Sequence, residues 1–157
     1  MRSNLSPASL LFVCLGNVCR SPMAEFVMKD LLGRHGLSHI RVASAATSAE
    51  ELGNPVHPGT RRKLAEHGIS CAGKTARRLT RADYAAYDLI IGMDSQNLSS
   101  MRRLFGGDPE GKLVKLLSFC GEDGNVADPW YTGDFDQTYR DVLRGCEALL
   151  KRIRPGR

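Results

Sequence analysis

The chain has 157 residues, 42% of them hydrophobic and 25% charged, which fits one globular domain and excludes a disordered chain. Its net charge of +5 is spread along the sequence, and four Tyr and one Trp make a poor stacking surface, so no nucleic-acid partner is expected. Five cysteines without framework spacing point to reduced thiols and a cytoplasmic location, and the apolar stretch 10–15 falls far short of the roughly 20 residues of a membrane span.

Residues 1–8 carry Ser, Asn and Pro without periodicity and read as a flexible tail ahead of one domain over 9–157. Leu10-Leu11-Phe12-Val13 suits a strand buried on both faces. A turn containing Gly16 follows, and Ser21 as N-cap with Pro22 in the first turn starts a helix. That helix has its apolar stripe at Met23, Phe26, Val27 and Leu31 and ends at Gly33 or Gly36. A second strand is expected over 40–43 and a second helix over 58–67, stopped by Gly68. Thr80 and Asp83 resemble a capping box for a short helix reaching Tyr87. The third strand is 89–93, and Ser95 caps a helix carrying Leu98, Met101 and Leu104 that Gly106-Gly107 terminates. A fourth strand over 112–117 leads into a polar loop over 121–133. The final helix presents Phe135, Tyr139, Val142, Cys146, Leu149, Leu150 and Ile153 on one face. Strands alternating with helices imply a parallel sheet covered on both sides, with ligands bound beyond the carboxyl ends of its strands.

The first such end carries chemistry. Cys14-Leu15-Gly16-Asn17-Val18-Cys19-Arg20-Ser21 lies between a strand end and a helix start, where backbone N–H groups can wrap an anion. Gly16 and Asn17 are residue types that tolerate left-handed backbone angles. The field of a helix N-terminus beside an arginine favours a thiolate, the form that attacks phosphorus. Arg20 presents a planar fork to two phosphate oxygens, which a lysine would not replace. These parts make a phosphoryl-transfer site that needs neither metal nor cofactor, and His35, His39, His57 and His67 lack metal-ligand spacing. The loop is not a nucleotide-binding one, because it lacks Gly-Lys-Ser/Thr at the helix start.

At these residues the sequence resembles the low-molecular-weight protein tyrosine phosphatases, over nearly the whole chain from Leu10 onward. Val13 to Pro22 is similar to the family's signature loop, Ser44-Ala45-Ala46-Thr47 to the segment at the second strand, Gly92-Met93-Asp94 to the third strand end, and Asp128-Pro129-Trp130-Tyr131 to the general-acid loop. The resemblance implies an α/β domain with a four-stranded parallel sheet and helices on both faces, doubly wound and flavodoxin-like. It implies Cys14 as nucleophile, Arg20 as clamp and Asp128 as proton donor, with Leu15, Gly16, Asn17, Val18, Cys19 and Ser21 around the phosphate. Ala46 stands where a Gly is common in the family and Lys74 where many members carry His; neither is expected to touch the chemistry.

A phenol has a pKa of about 10, so a tyrosine leaving group benefits from a carboxylic acid such as Asp128. Trp130 and Tyr131 offer aromatic walls for its ring. Cys19 could close a protective disulfide with Cys14 under oxidant, or merely pack the loop. The expected enzyme is a monomeric phosphatase acting on phosphotyrosine in proteins. Arsenate reductases with a similar loop need two further cysteines close together, whereas Cys71, Cys120 and Cys146 are far apart. Protein arginine phosphatases carry Thr after the nucleophile, where Leu15 stands. A non-catalytic phosphoprotein-binding or redox-sensing module would leave Asp128 dispensable.

Overall fold

The computed structural model describes residues 5–153 and contains one four-stranded, all-parallel sheet in the order β2-β1-β3-β4. Strand β1 (Ser9–Cys14) is buried along its whole length, as its apolar run requires, and takes a central place between β2 (Arg41–Ala46) and β3 (Leu89–Gly92). Alternation along β1 sends Leu10, Phe12 and Cys14 to one face and Leu11 and Val13 to the other. The first face is covered by α1 (Arg20–Arg34), α2 (Pro58–Glu66) and α6 (Phe135–Ile153), and the second by α4 (Ser95–Phe105) through Met101, with α3 (Asp83–Ala86) nearby. Helices on both faces of a parallel sheet make the doubly wound arrangement that the alternating pattern implies.

Several boundaries depart from expectation, each for a local reason. Strand β2 runs on to Ala46 instead of stopping at Ala43, because Ser44 is buried with hydrogen-bonding partners of its own and pairs in register with Phe12. Strand β4 is short, Leu113–Lys115, and the apolar residues after it turn into a 3-10 helix, Leu116–Cys120. The first helix starts one residue before Ser21, with Cys19 at the cap position and no side-chain cap. Helix α4 is capped by Asp94 and not by Ser95. The Asp94 carboxylate accepts from Asn97 N–H, and the Asn97 side chain returns a bond to the backbone of Asp94. The polar loop 121–133 encloses a short helix, α5 (Pro129–Thr132), with Asp128 as its N-cap.

Helix α6 lies close to the 3-10 helix at Gly145, where an added Cβ would stand 2.4 Å from Leu116 Cγ. Of the expected tail, residues 1–4 lie outside the described part. Leu5 packs on the core, and its N–H donates to the Arg152 carbonyl at 2.8 Å. Among the described residues no helix is long and apolar enough to cross a membrane.

Candidate active site

Cys14 is the last residue of β1, and the chain turns there to reach the start of α1. The turn is held from outside through its carbonyls. Cys14 C=O accepts from Thr47 N–H, Leu15 C=O from Ser48 N–H, Val18 C=O from His57 N–H and Cys19 C=O from the Thr60 hydroxyl, at 2.9 to 3.1 Å. N–H groups then point inward. Those of Asn17 and Ser21 donate to Cys14 Sγ at 3.3 and 3.4 Å, and Ser21 Oγ lies 3.0 Å from the same sulfur. Because Ser21 Oγ already accepts from Asn17 Nδ2 at 2.8 Å, its own hydrogen is available to the sulfur. Asn17 has φ 57°, the one positive value among the described non-glycine residues, as this reversal demands.

Arg20, the first residue of α1, is almost wholly buried. Its Nη1 donates to Asp94 Oδ2 at 2.7 Å and to the Val126 carbonyl at 2.9 Å, and its Nη2 reaches Asp128 Oδ2 at 3.4 Å. Burial works against the charge, but Cys14, Asp94 and Asp128 outweigh it and hold the guanidinium above its ordinary range. Its Nε is buried and has no hydrogen-bond partner among the described residues. A buried donor left open in this way calls for an acceptor supplied from elsewhere.

Beneath the turn lies a polar layer that the sequence did not announce. Asn17 Nδ2 also donates to Ser44 Oγ at 2.9 Å, Ser44 Oγ donates to Glu25 Oε1 at 2.6 Å, and Asn17 Oδ1 accepts from Arg77 N–H at 3.1 Å. Glu25 is buried, with Lys29 Nζ at 2.7 Å and Lys74 Nζ at 3.5 Å. Lys74 also donates to the Ser44 carbonyl at 3.0 Å, which ties it into the same polar layer. Burial lowers its pKa from the usual lysine range, opposed by Glu25. Glu25 and Lys29 stand four apart on α1, which is a helix-pair signal, but nothing in the sequence shows that the pair faces Ser44.

The cleft over this turn is lined by Cys14, Leu15, Gly16, Val18, Cys19, Arg20, Asp128, Trp130 and Tyr131, and by Glu50 and Glu51. Nine of the expected site residues therefore meet at one opening. Asn17 and Ser21, also expected there, stand behind it, supporting the sulfur. Trp130 and Tyr131 are 53% and 76% exposed; Trp130 meets His57 edge-on at 5.5 Å, and His57 stacks on Phe135. Asp128 has one oxygen on Trp130 N–H at 3.0 Å and the other toward Arg20, so it is both a helix cap and a cleft carboxylate. All five cysteines are free thiols, and burial, followed by the charges of Cys14 and Asp128, pushes the Cys19 thiol up to about 12. Among the described residues no group of three or more His, Cys, Asp or Glu side chains is placed to hold a metal ion.

Comparison with known proteins agrees with this arrangement. Residues 9–156 match the family described as low molecular weight phosphotyrosine protein phosphatase. The chain is 42% identical over 149 residues to the low molecular weight protein-tyrosine-phosphatase YfkJ of Bacillus subtilis, covering 92% of this chain and 95% of that one. It is 38% identical over 143 residues to PtpA of Staphylococcus aureus, covering 90% and 91%. The crystal structure of YfkJ superposes with a TM-score of 0.86 over 90% of this chain and 91% of that chain. That of DARP, a Drosophila arginine phosphatase, gives 0.86 at 29% identity over 94% and 99%. With the expected sheet, the thiol-centred turn and a family match spanning almost its entire length, this chain belongs to the low molecular weight phosphotyrosine protein phosphatases.

Proposed function

We propose that the chain hydrolyses phosphotyrosine in proteins through a phosphocysteine formed on Cys14. The observation that carries this reading is the pairing of a sulfur facing three donors with a buried, unpartnered Arg20 Nε in the same cleft. A phosphoryl group bound between them completes both, since its oxygens accept from the guanidinium and from the turn's N–H groups. The Cys14 thiolate attacks phosphorus, the bond from phosphorus to the tyrosine oxygen breaks, and Asp128, protonated, gives its proton to that oxygen. Asp128, now a carboxylate, takes a proton from water as the water attacks phosphocysteine; the P–S bond breaks and inorganic phosphate is released. The Ser21 hydroxyl donates to the departing thiolate. Leu15, Trp130 and Tyr131 supply apolar surface for a phenyl ring. Five free thiols are consistent with work in a reducing cytoplasm.

A second reading, hydrolysis of phosphoarginine, draws support from Glu50 and Glu51, whose carboxylates at the cleft suit a cationic substrate, and from the likeness to the Drosophila enzyme. One experiment separates the two: kcat/KM of the wild type, Cys14→Ser and Asp128→Asn on a phosphotyrosine peptide and on a phosphoarginine peptide of the same sequence. Turnover of the phosphotyrosine peptide with no activity in Cys14→Ser, and a loss of about 100-fold in Asp128→Asn, is expected. Faster turnover of phosphoarginine would favour the second reading, and failure to trap a phosphocysteine by rapid quenching would remove both.

A further inference from the structure

The segment that carries Asp128 takes its path around a buried ammonium group. Lys115 ends β4 at the edge of the sheet and is 6% exposed. Its Nζ donates to Ser95 Oγ at 3.2 Å, to the Asp123 carbonyl at 3.0 Å and to Asn125 Oδ1 at 3.0 Å, and it pairs with the Asp123 carboxylate at 3.0 Å. The Asp123 side chain is fully exposed, so water screens that ion pair, and the two loop oxygens Asp123 O and Asn125 Oδ1 matter more. Asn125 Oδ1 also accepts from Ser95 N–H at 3.2 Å, which ties the loop to the first residue of α4.

From that anchor the chain runs straight into the catalytic arginine. Val126 N–H donates to the Met93 carbonyl at 2.9 Å, and Val126 C=O accepts from Arg20 Nη1 at 2.9 Å. Asp128 follows two residues later. A cation beside the first turn of α4 opposes the helix dipole. Burying an ammonium is costly unless oxygens replace its water, and here most of those oxygens come from residues 123–125. What Lys115 holds is therefore the loop, at the expense of the helix it touches.

We propose that Lys115 is a positioning residue for proton transfer: its ammonium pins residues 123–125 to the start of α4 and so sets where Asp128 stands relative to Cys14. This rests on the acid role given to Asp128 above. Lys115→Met keeps the aliphatic stem and removes the three donors.

The test is kcat/KM on aryl phosphates running from an acidic nitrophenol to phenol, whose pKa is about 10. Lys115→Met should lose about tenfold on phenyl phosphate and less than about threefold on nitrophenyl phosphate, because only the poor leaving group needs the proton. Lys115→Arg should recover part of the loss, and adding Lys115→Met to Asp128→Asn should lower the rate little further. Asn125→Ala, which removes the shared amide oxygen, should give the same leaving-group pattern and serves if Lys115→Met does not fold. Equal losses across leaving groups, a lower melting temperature with unchanged rates, or full additivity with Asp128→Asn would overturn the proposal. Should Asp128→Asn itself show no leaving-group dependence, the acid role fails and this inference with it. If Asp128→Asn discriminates and the Lys115 and Asn125 variants do not, the inference alone fails.

Discussion

Cys19 precedes Arg20, and its buried thiol is raised to about 12 from an ordinary 9.0, mainly by burial and then by Cys14 and Asp128. Its folded pKa lies above its unfolded one. The stabilisation from keeping it protonated is therefore full below pH 9 and is lost between pH 9 and pH 12, on the order of 1 kcal/mol per pH unit. Urea midpoints measured from pH 8 to pH 11 should fall more steeply in the wild type than in Cys19→Ser; parallel curves would contradict the assignment. At this scale the meeting of Cys14, Arg20 and Asp128 in one cleft was legible in the sequence, since each sits in a motif with its own chemical reason. Glu25 and Asp94 were not. Ser44 meets Glu25 across 19 positions and Arg20 meets Asp94 across 74, and no local pattern encodes contacts made only when the sheet forms.

Among the elements, the central strand, the main helices and the parallel pairing followed from periodicity and punctuation, whereas caps and the last strand did not. Asp94 and Ser95 are both good caps, and the choice between them is made by Asn97, whose side chain can answer only Asp94. The strand expected over 112–117 is cut to Leu113–Lys115, because its short pairing with β3 ends at Lys115. The contact of α6 with the 3-10 helix was invisible because a glycine gives no periodic signal. Gly145→Ala would gain about 1 kcal/mol of helix propensity but force Leu116 aside, and overpacking of about 1–3 kcal/mol should outweigh the gain. Calorimetry should show a lower melting temperature, with kcat at 25 °C unchanged because α6 contributes no side chain to the cleft.

Across the whole molecule, the order β2-β1-β3-β4 puts the strand that ends in Cys14 between two partners, with core on both faces. The Asp128 carboxylate, proposed as the acid, belongs instead to the segment after the edge strand, tied down by Lys115 and a few hydrogen bonds. Native-state hydrogen exchange should therefore find the amides of Leu11, Phe12 and Val13 opening only with global unfolding. Those of residues 122–128 should open at a much lower free energy, and equal protection in both places would refute this. On that outcome the two halves of the proposed reaction rest on parts of unequal stiffness. Warming short of denaturation should spare the seizure of phosphorus and first dull the delivery of the proton, so that a heated sample becomes choosier about its leaving groups before it becomes inert.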